Sequence, residues 1–461
     1  MATRFYFANG TGYAADVTPS SWSAGWNKTS GVAADRKLLG HKFAVEAEAF
    51  FANVNTGFSG DFTAVRRYIS GPLAAQTISG TIKGQFKCAQ PNAADSMTLA
   101  VAIKIIQADG SDRAALLAPA ASDNGTTTPP EMAITTLTNR QFQDSAESAS
   151  ISLTSQSASF GDRLVVEVGM RQSASVATAN IQFTTQATQG TADLGENNTD
   201  TTALNPWIEF SNTIGFLDCV GSKSTPVDAA AATNTTDPTV VDIDSEITCL
   251  AGDLIVMVGQ QRATAATLAV SATGGQTWNT LTPQLALTLQ SVEIYWCQFN
   301  GTWSADPSVD FSAAVCNSVQ AFVFRPPATN YNWSVNQALV ELDTAGSPAT
   351  ITGQTTTGTD LTVTIAGWFT PDDNTWGSLS GTGWSDLGGG QYRNTSGSDQ
   401  SATFAYKLQS AAGATGDVTK TQATNGPDAG TTFIITFAAS EPVTGSLVFT
   451  PNFYFNPLNV R

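Results

Sequence analysis

Apolar and polar residues alternate along much of this chain. In MTLAVAIKII (97–106), Met97, Leu99, Val101, Ile103 and Ile105 share one face, and Thr98 and Lys104 lie opposite. In LTVTI (361–365), Leu361, Val363 and Ile365 alternate with Thr362 and Thr364, and in FIITF (433–437) Phe433, Ile435 and Phe437 line up. A period of two marks strands with one buried face, so these stretches predict half-buried strands. TISGTIKGQFKC (77–88), VEIYWCQF (292–299) and VQAFVFR (319–325) predict more of the same. Helical periodicity is scarce. AVEAEAFFANV (44–54) and DRAALLAP (112–119) admit short helical turns, and the chain as a whole reads as all-β.

One phrase is written almost twice: GDRLVVEVGMR at 161–171 and GDLIVMVGQQR at 252–262. Gly accepts a positive φ and Asp bonds its own following backbone, so Gly-Asp suits a turn. The Val- and Ile-rich run after it suits a core strand. Further landmarks recur after residue 212. GDLIVMVG (252–259) returns as GTDLTVTIAG (358–367), and GQTWNTL (275–281) returns as GTGWSDL (381–387). An aromatic strand and then a Phe-rich strand follow each. Landmarks in the same order predict two half-units of about 110 residues. They fit either two small sandwiches or two halves of one large jelly roll, with Pro326-Pro327 at the junction. The expected fold is all-β: tandem jelly-roll or β-sandwich domains with an extended C-terminal tail. The first domain spans 1–212. The second region, 213–440, divides into 213–328 and 329–440, and 441–461 forms the tail.

Composition sharpens this picture. Only 13% of residues are charged, against roughly 25% in an average soluble domain; Thr, Ser, Ala, Gly and Asn fill the gap. That mix disfavours long helices and favours short strands, with Thr on solvated faces. The net charge is −17, and the 21 basic residues form no cluster, which argues against nucleic acid as a partner. The opening MATRFYFANGTGY is not apolar enough for a signal peptide. No segment approaches the ~20 apolar residues of a membrane helix. Synthesis in a cytosol without membrane insertion is expected. The five cysteines lack a Cys-x-x-Cys spacing and suit buried apolar positions better than a zinc cage or disulfide framework.

Little of the sequence points to a reaction. His41 is the single histidine, so no multi-histidine metal site can form. Gly388, Gly389 and Gly390 match no nucleotide fingerprint and suit a flexible turn. Asp242, Asp244 and Glu246 alternate with apolar residues and share a strand face. Two carboxyls about 5–10 Å apart are what glycoside hydrolysis needs, though a solvated strand face has the same pattern. Asp372-Asp373-Asn374 and the loop 193–200 are rich in oxygen ligands for Ca²⁺, but neither has EF-hand spacing, and no metal or cofactor is assigned. Trp368 and Trp376 flank the acidic loop FTPDDNT. Exposed aromatics beside carboxylates can stack and bind sugars, so Trp368, Trp376, Asp372 and Asp373 are the candidate glycan-binding residues. Burial of the rings under loops is the plainer alternative.

MATRFYF, GPLAAQTISGTIKGQFKC (71–88), GDRLVVEVGMR and NPWIEFS (205–211) together resemble a group of tailed-bacteriophage virion proteins, over about residues 1–212. AGDLIVMVG, the Gly-x-x-Trp turn and AFVFR are similar to jelly-roll modules of phage appendages, although the Pro that usually precedes the Gly-Trp turn is missing. The resemblance carries no catalytic residue. It implies a non-enzymatic structural protein on the virion surface, assembled in the host cytoplasm: a tail fibre or tail-tip adhesin, or a head decoration. Its implied partners are other copies of itself, other virion proteins and a host-surface glycan. A carbohydrate-binding surface protein and a polysaccharide depolymerase are the alternatives. In the tail, Phe449, Phe453, Tyr454 and Phe455 crowd between and around Pro451 and Pro457. Such a segment buries little against itself, and it is expected to serve as an assembly arm on a neighbouring subunit or virion protein.

Overall fold

The computed structural model describes residues 2–8, 13–29, 35–42, 49–55, 62–90, 96–121, 131–142, 149–172, 179–185, 188, 190–225, 239–240, 243, 247–263, 267–286, 290–312, 316–345, 349–358, 360–387, 391–395, 399–410, 412–423 and 428–441. The described chain is all-β apart from short 3₁₀ turns.

The first region contributes Thr3–Phe7 (β1), Arg36–Leu39 (β2), Ala49–Asn55 (β3), Phe62–Ile69 (β4), Thr81–Gln90 (β5), Met97–Ile106 (β6), Asp112–Leu117 (β7), Arg163–Gln172 (β8), Ala179–Thr185 (β9) and Trp207–Phe210 (β10). They lie in the order β3-β9-β5-β10-β1-β2-β4-β8-β6-β7 within a 14-stranded sheet. Both halves of that path feed one core. Phe5, Phe86 and Phe210 from one half meet Val65, Val101 and Val168 from the other, so the sheet folds over on itself. Neither predicted helical turn forms where expected. Ala49–Asn55 is strand β3, while 44–48 lies outside the described residues. Asp112–Leu117 pairs with β6, leaving only a 3₁₀ turn at Pro119–Ala121. Pairing with a neighbouring strand overrides weak local propensity here.

The opposite face of β6 and β8 is also covered. Segment 13–29 crosses it and is pinned by buried charge. Glu167, fully buried, accepts the Ser23 amide at 3.0 Å and the Trp26 indole N–H at 2.6 Å. Burial pushes its carboxyl up, opposed by these donors and by Lys104. Lys104 in turn bonds the Ser21 carbonyl and Asp112. Arg67 grips both oxygens of Asp35 through Nε and Nη2 and lies over the Trp22 ring. Thr98 and Lys104, expected on a solvated face, are therefore buried.

The repeat after residue 212 is a repeat of topology. The first copy runs through Asp218–Thr225 (β11), Thr239–Val240 (β12), Leu254–Gln261 (β13), Leu268–Ala272 (β14), Asn279–Ala286 (β15), Ser291–Gln298 (β16), Ser308–Phe311 (β17) and Asn317–Arg325 (β18). The second runs through Asn332–Ala345 (β19), Ala349–Ile351 (β20), Leu361–Thr370 (β21), Trp376–Ser380 (β22), Ser385–Asp386 (β23), Gln400–Gln409 (β24), Val418–Gln422 (β25) and Ala429–Ser440 (β26). The large sheets are ordered β11-β18-β13-β16-β15 and β19-β26-β21-β24-β23; the small ones are β12-β17-β14 and β20-β25-β22. Position by position the two orders are the same, and each is that of a jelly roll except that the fifth strand pairs with the sixth at the edge of the large sheet.

The large sheets are buried on both faces. One face of β13 (Ile255, Met257) packs on its own small sheet through Leu268, Val309 and Phe311. The other face (Leu254, Val256, Val258) shares a core with Leu361, Val363 and Ile365 of the sister copy. The two jelly rolls thus stand back to back as four layers. Phe322 meets Phe404 at 4.8 Å between ring centroids, Phe324 meets Tyr406 at 5.7 Å, and Trp296 meets Phe437 at 5.6 Å. Thr362 and Thr364 correct the expected half-buried reading: both are buried, and Thr364 Oγ1 pairs with Thr436 Oγ1 at 2.8 Å. Thr364 satisfies its buried hydroxyl in this way, whereas the Thr362 hydroxyl finds no partner among the described residues.

The Gly-Asp phrase is one turn built twice. Gly161 and Gly252 hold φ of +84° and +94°. In each, the Asp amide donates to the carbonyl three residues back, Ser159 or Leu250, at 3.1 and 3.0 Å. The Asp carboxylate accepts that residue's amide in return, at 2.6 and 2.8 Å. Each carboxylate also pairs with an arginine, Arg113 or Arg325.

Buried ion pairs tie the first region to the second jelly roll. Asp16 bridges Lys37 at 2.7 Å and Arg163 at 3.1 Å. Arg163 reaches the Leu408 carbonyl of β24, and the Lys37 ammonium sits 4.6 Å from the Tyr406 ring centre.

This packing has two measurable consequences. Phe404→Ala should lower the free energy of unfolding by about 3–5 kcal/mol, because its ring is shared between the sister cores. Val335→Ala, at an exposed position, should change it by less than about 0.5 kcal/mol. Denaturant titration of both variants checks this. The second consequence concerns Glu293, which stands opposite Gly259 on the face of β16 that carries Tyr295 and Cys297. Burial pushes its carboxyl from 4.5 up to about 7. A folded-state pKa above the unfolded value favours the protonated fold, so this contribution is complete below pH 4.5 and is lost as pH rises through about 7. Glu293→Gln should raise the melting temperature relative to the parent at pH 8 and leave it unchanged at pH 4, by calorimetry.

Candidate functional site

The turn between β21 and β22 is where polar chemistry gathers. Antiparallel pairing sets Thr370 opposite Ser401, so the turn after β21 lies beside the residue that precedes β24. One carboxylate oxygen each from Asp372, Asp373 and Asp399 lies within 4.8 Å of the others. Two of the three are already paired with cations. Arg393 donates to the Asp373 carbonyl at 2.6 Å and to its carboxylate at 3.2 Å. Arg262, at the end of β13 in the sister jelly roll, pairs with Asp399. Burial raises the Asp372 carboxyl, and Asp428 and Asp399 push it the same way against the Asp373 amide that bonds it.

Asn374 closes the floor. It is fully buried and donates to Thr370 Oγ1 at 3.1 Å and to Asp428 Oδ2 at 3.0 Å. Thr370 Oγ1 meets Ser401 Oγ at 2.7 Å, and Ser401 Oγ accepts the Trp376 indole N–H at 3.2 Å. The result is a carboxylate-lined notch, braced by two arginines, with a half-buried tryptophan beside it. Such a notch accepts hydrogen bonds from hydroxyl groups. Asp372, Asp373 and Asp399 are the oxygen ligands it would offer a hard cation, in competition with Arg262 and Arg393.

Of the four candidate glycan residues, Asp372, Asp373 and Trp376 come together here, and Trp368 does not. Trp368 is fully buried in the core between β21 and its small sheet, with its indole N–H on the Ala349 carbonyl at 3.0 Å. Strand parity is the reason: Trp368 shares the inward face with Ala366. Its ring is unavailable for stacking.

The other candidates resolve differently. The loop 193–200 is committed to structure. Asp193 binds Arg4 at 2.8 Å, Lys42 at 2.6 Å and Tyr6 at 3.1 Å, and Asn197 accepts the Thr199 and Asp200 amides. His41 bonds Asp218 at 3.0 Å. All five cysteines are free thiols, and Cys249 alone is not fully buried. Asp242, Asp244, Glu246, Gly388–Gly390 and the tail residues Phe449, Phe453, Tyr454 and Phe455 lie outside the described residues.

The sequence reading missed Asp399, Asp428, Arg262 and Arg393. Pairing the strand at 361–370 with that at 400–409 would have placed Asp399 beside Asp372. Arg262 comes from the other jelly roll and left no such signal. A second concavity of about 610 Å³ lies at the junction of the first region and the first jelly roll, walled by Ile214, Phe216, Leu250, Pro326 and Pro327. No protein-family model matches the chain, and no curated protein matches it either.

Proposed function

We propose that this chain is a non-enzymatic structural protein displayed on the surface of a tailed-phage virion, as a tail appendage that contacts the host or as a head decoration. The observation that carries the reading is the back-to-back pair of jelly rolls. Sheets buried on both faces, locked to the first region through Asp16, make one stiff body whose loops are its outward surface. The acidic, charge-poor composition suits a part present at high local concentration. The four stretches of 1–212 that resemble phage virion proteins, and the jelly-roll phrases after them, point the same way. Mass spectrometry of purified virions should find the chain at many copies per particle, and labelled antibody on intact particles should decorate the head or the tail. Absence from purified virions would overturn the reading.

A carbohydrate-binding role is the second reading, favoured by one specific observation: the half-buried Trp376 ring stands beside the carboxylate notch of Asp372, Asp373 and Asp399. On an array of bacterial surface glycans, the full-length protein should then bind a defined set. Trp376→Ala should lower that affinity at least tenfold, which corresponds to about 1.4 kcal/mol. Equal binding by both proteins would remove the notch as a glycan site.

A further inference from the structure

The junction concavity has the wrong chemistry for an ion and the right one for aromatic rings. Its walls are apolar, and Leu250, which helps form them, is 45% exposed. Among the described residues only Ile134 and Val335 are other large hydrophobic side chains exposed in this way. The charged groups at the rim are already engaged. Arg4 holds Asp193 and Glu209, Arg325 holds Asp253, and Asp218 holds His41. A charged ligand would have to displace one of these pairs. An apolar occupant need not, and a guanidinium face adds attraction for an aromatic ring; Arg4 already lies 3.9 Å from the centre of the Trp207 ring. At about 610 Å³ the space falls within the roughly 300–1,000 Å³ typical of sites that enclose a ligand. It has room for a few aromatic side chains.

The described chain ends beside this space. Ser440 is the last residue of β26 and pairs with Asn332. Glu441 accepts the Tyr331 hydroxyl at 2.8 Å. The Tyr331 amide donates to the carbonyl of Ala328, and Ala328 and Thr329 line the concavity. The remaining segment, 442–461, carries Phe449, Phe453, Tyr454 and Phe455. Phe449 lies eight residues past Glu441, and an extended chain of that length reaches about 25–30 Å. A tethered segment also enjoys an effective concentration of roughly millimolar order, with no partner required.

We propose that the aromatic C-terminal segment, 442–461, docks in the concavity of its own chain, between the first region and the first jelly roll. The receptor is then this chain itself, in place of the neighbouring subunit that the tail's composition suggested.

The test uses the full-length protein with Phe453 replaced by a photoreactive benzoylphenylalanine, in an equal mixture of light and ¹⁵N-labelled chains. After irradiation, adducts to peptides containing 213–216, 250–253 or 325–329 within chains of one isotope are expected. Adducts to other segments, or none, would overturn the proposal. Mixed-isotope adducts at the same peptides would also overturn it, assigning the concavity to a second copy's tail. Hydrogen exchange gives an independent readout. Deleting 442–461 should speed amide exchange at 250–253 and 325–329 at least tenfold and leave the β13 amides unchanged. Unchanged exchange at the junction would sink the docking. Neither measurement reads virion incorporation, so this proposal and the virion reading fail separately.

Discussion

The structure depends on one contact above the rest: the face-to-face packing of two large sheets, centred on Phe322 and Phe404. Each sheet is already buried on its far side by a small sheet of its own module. Joining the near sides removes the remaining water-facing surface, at ~25 cal/mol per Å² of apolar area. That demand explains the composition of the strands. β13 is buried at every position, and so is β21, where Thr362, Thr364 and Thr370 share one face with Ala366 and Trp368. Burial on both faces makes charge costly, so Arg262, Arg325, Asp372 and Asp399 sit at or beyond strand ends, and Glu293, inside β16, is pushed toward its neutral form.

Parity along the strands was legible, and what covers each face was not. Leu361, Val363 and Ile365 do lie in one core, as do Phe433, Ile435 and Phe437. Their threonine partners looked solvated because a hydroxyl is compatible with water and with a buried Thr–Thr bond alike. Only tertiary placement separates the two cases. Lys104 misled for a related reason: it is covered by segment 13–29, which Glu167 pins and which has no periodicity of its own. The notch was half legible. Asp372, Asp373 and Trp376 share one turn, whereas Asp399 and Arg262 arrive from distant chain positions. Trp368 and Trp376 look equivalent in sequence, yet one is inside the strand and the other begins the next.

Charge does different work in the two halves of the molecule. In the first region it is buried and holds loops and modules in place: Glu167 fixes segment 13–29, and Asp16 joins Lys37 and Arg163 beneath Tyr406. Removing one member of such a set strands the others without water, so these positions tolerate little change. At the carboxylate notch the pairs Arg262–Asp399 and Arg393–Asp373 are partly exposed. Individually they contribute about 0–1 kcal/mol, which leaves those loops free to vary in sequence over a fixed scaffold.

The shared core also sets a schedule for synthesis. The first jelly roll is complete once Arg325 has been added, but the partner face that covers Phe322 and Phe324 ends only with Ser440. About 115 residues separate these points, which at roughly 5–20 residues per second is about 6–23 s of translation. Throughout that interval the nascent chain presents a ribbon of Val, Ile and Phe to its surroundings. Two ribosomes on one message carry the same ribbon, each a fair mimic of the other's missing sister. The arrangement that makes the finished body stiff therefore makes its unfinished half adhesive, and yield in the cell is governed by the speed of the second copy's arrival as much as by the stability of the product.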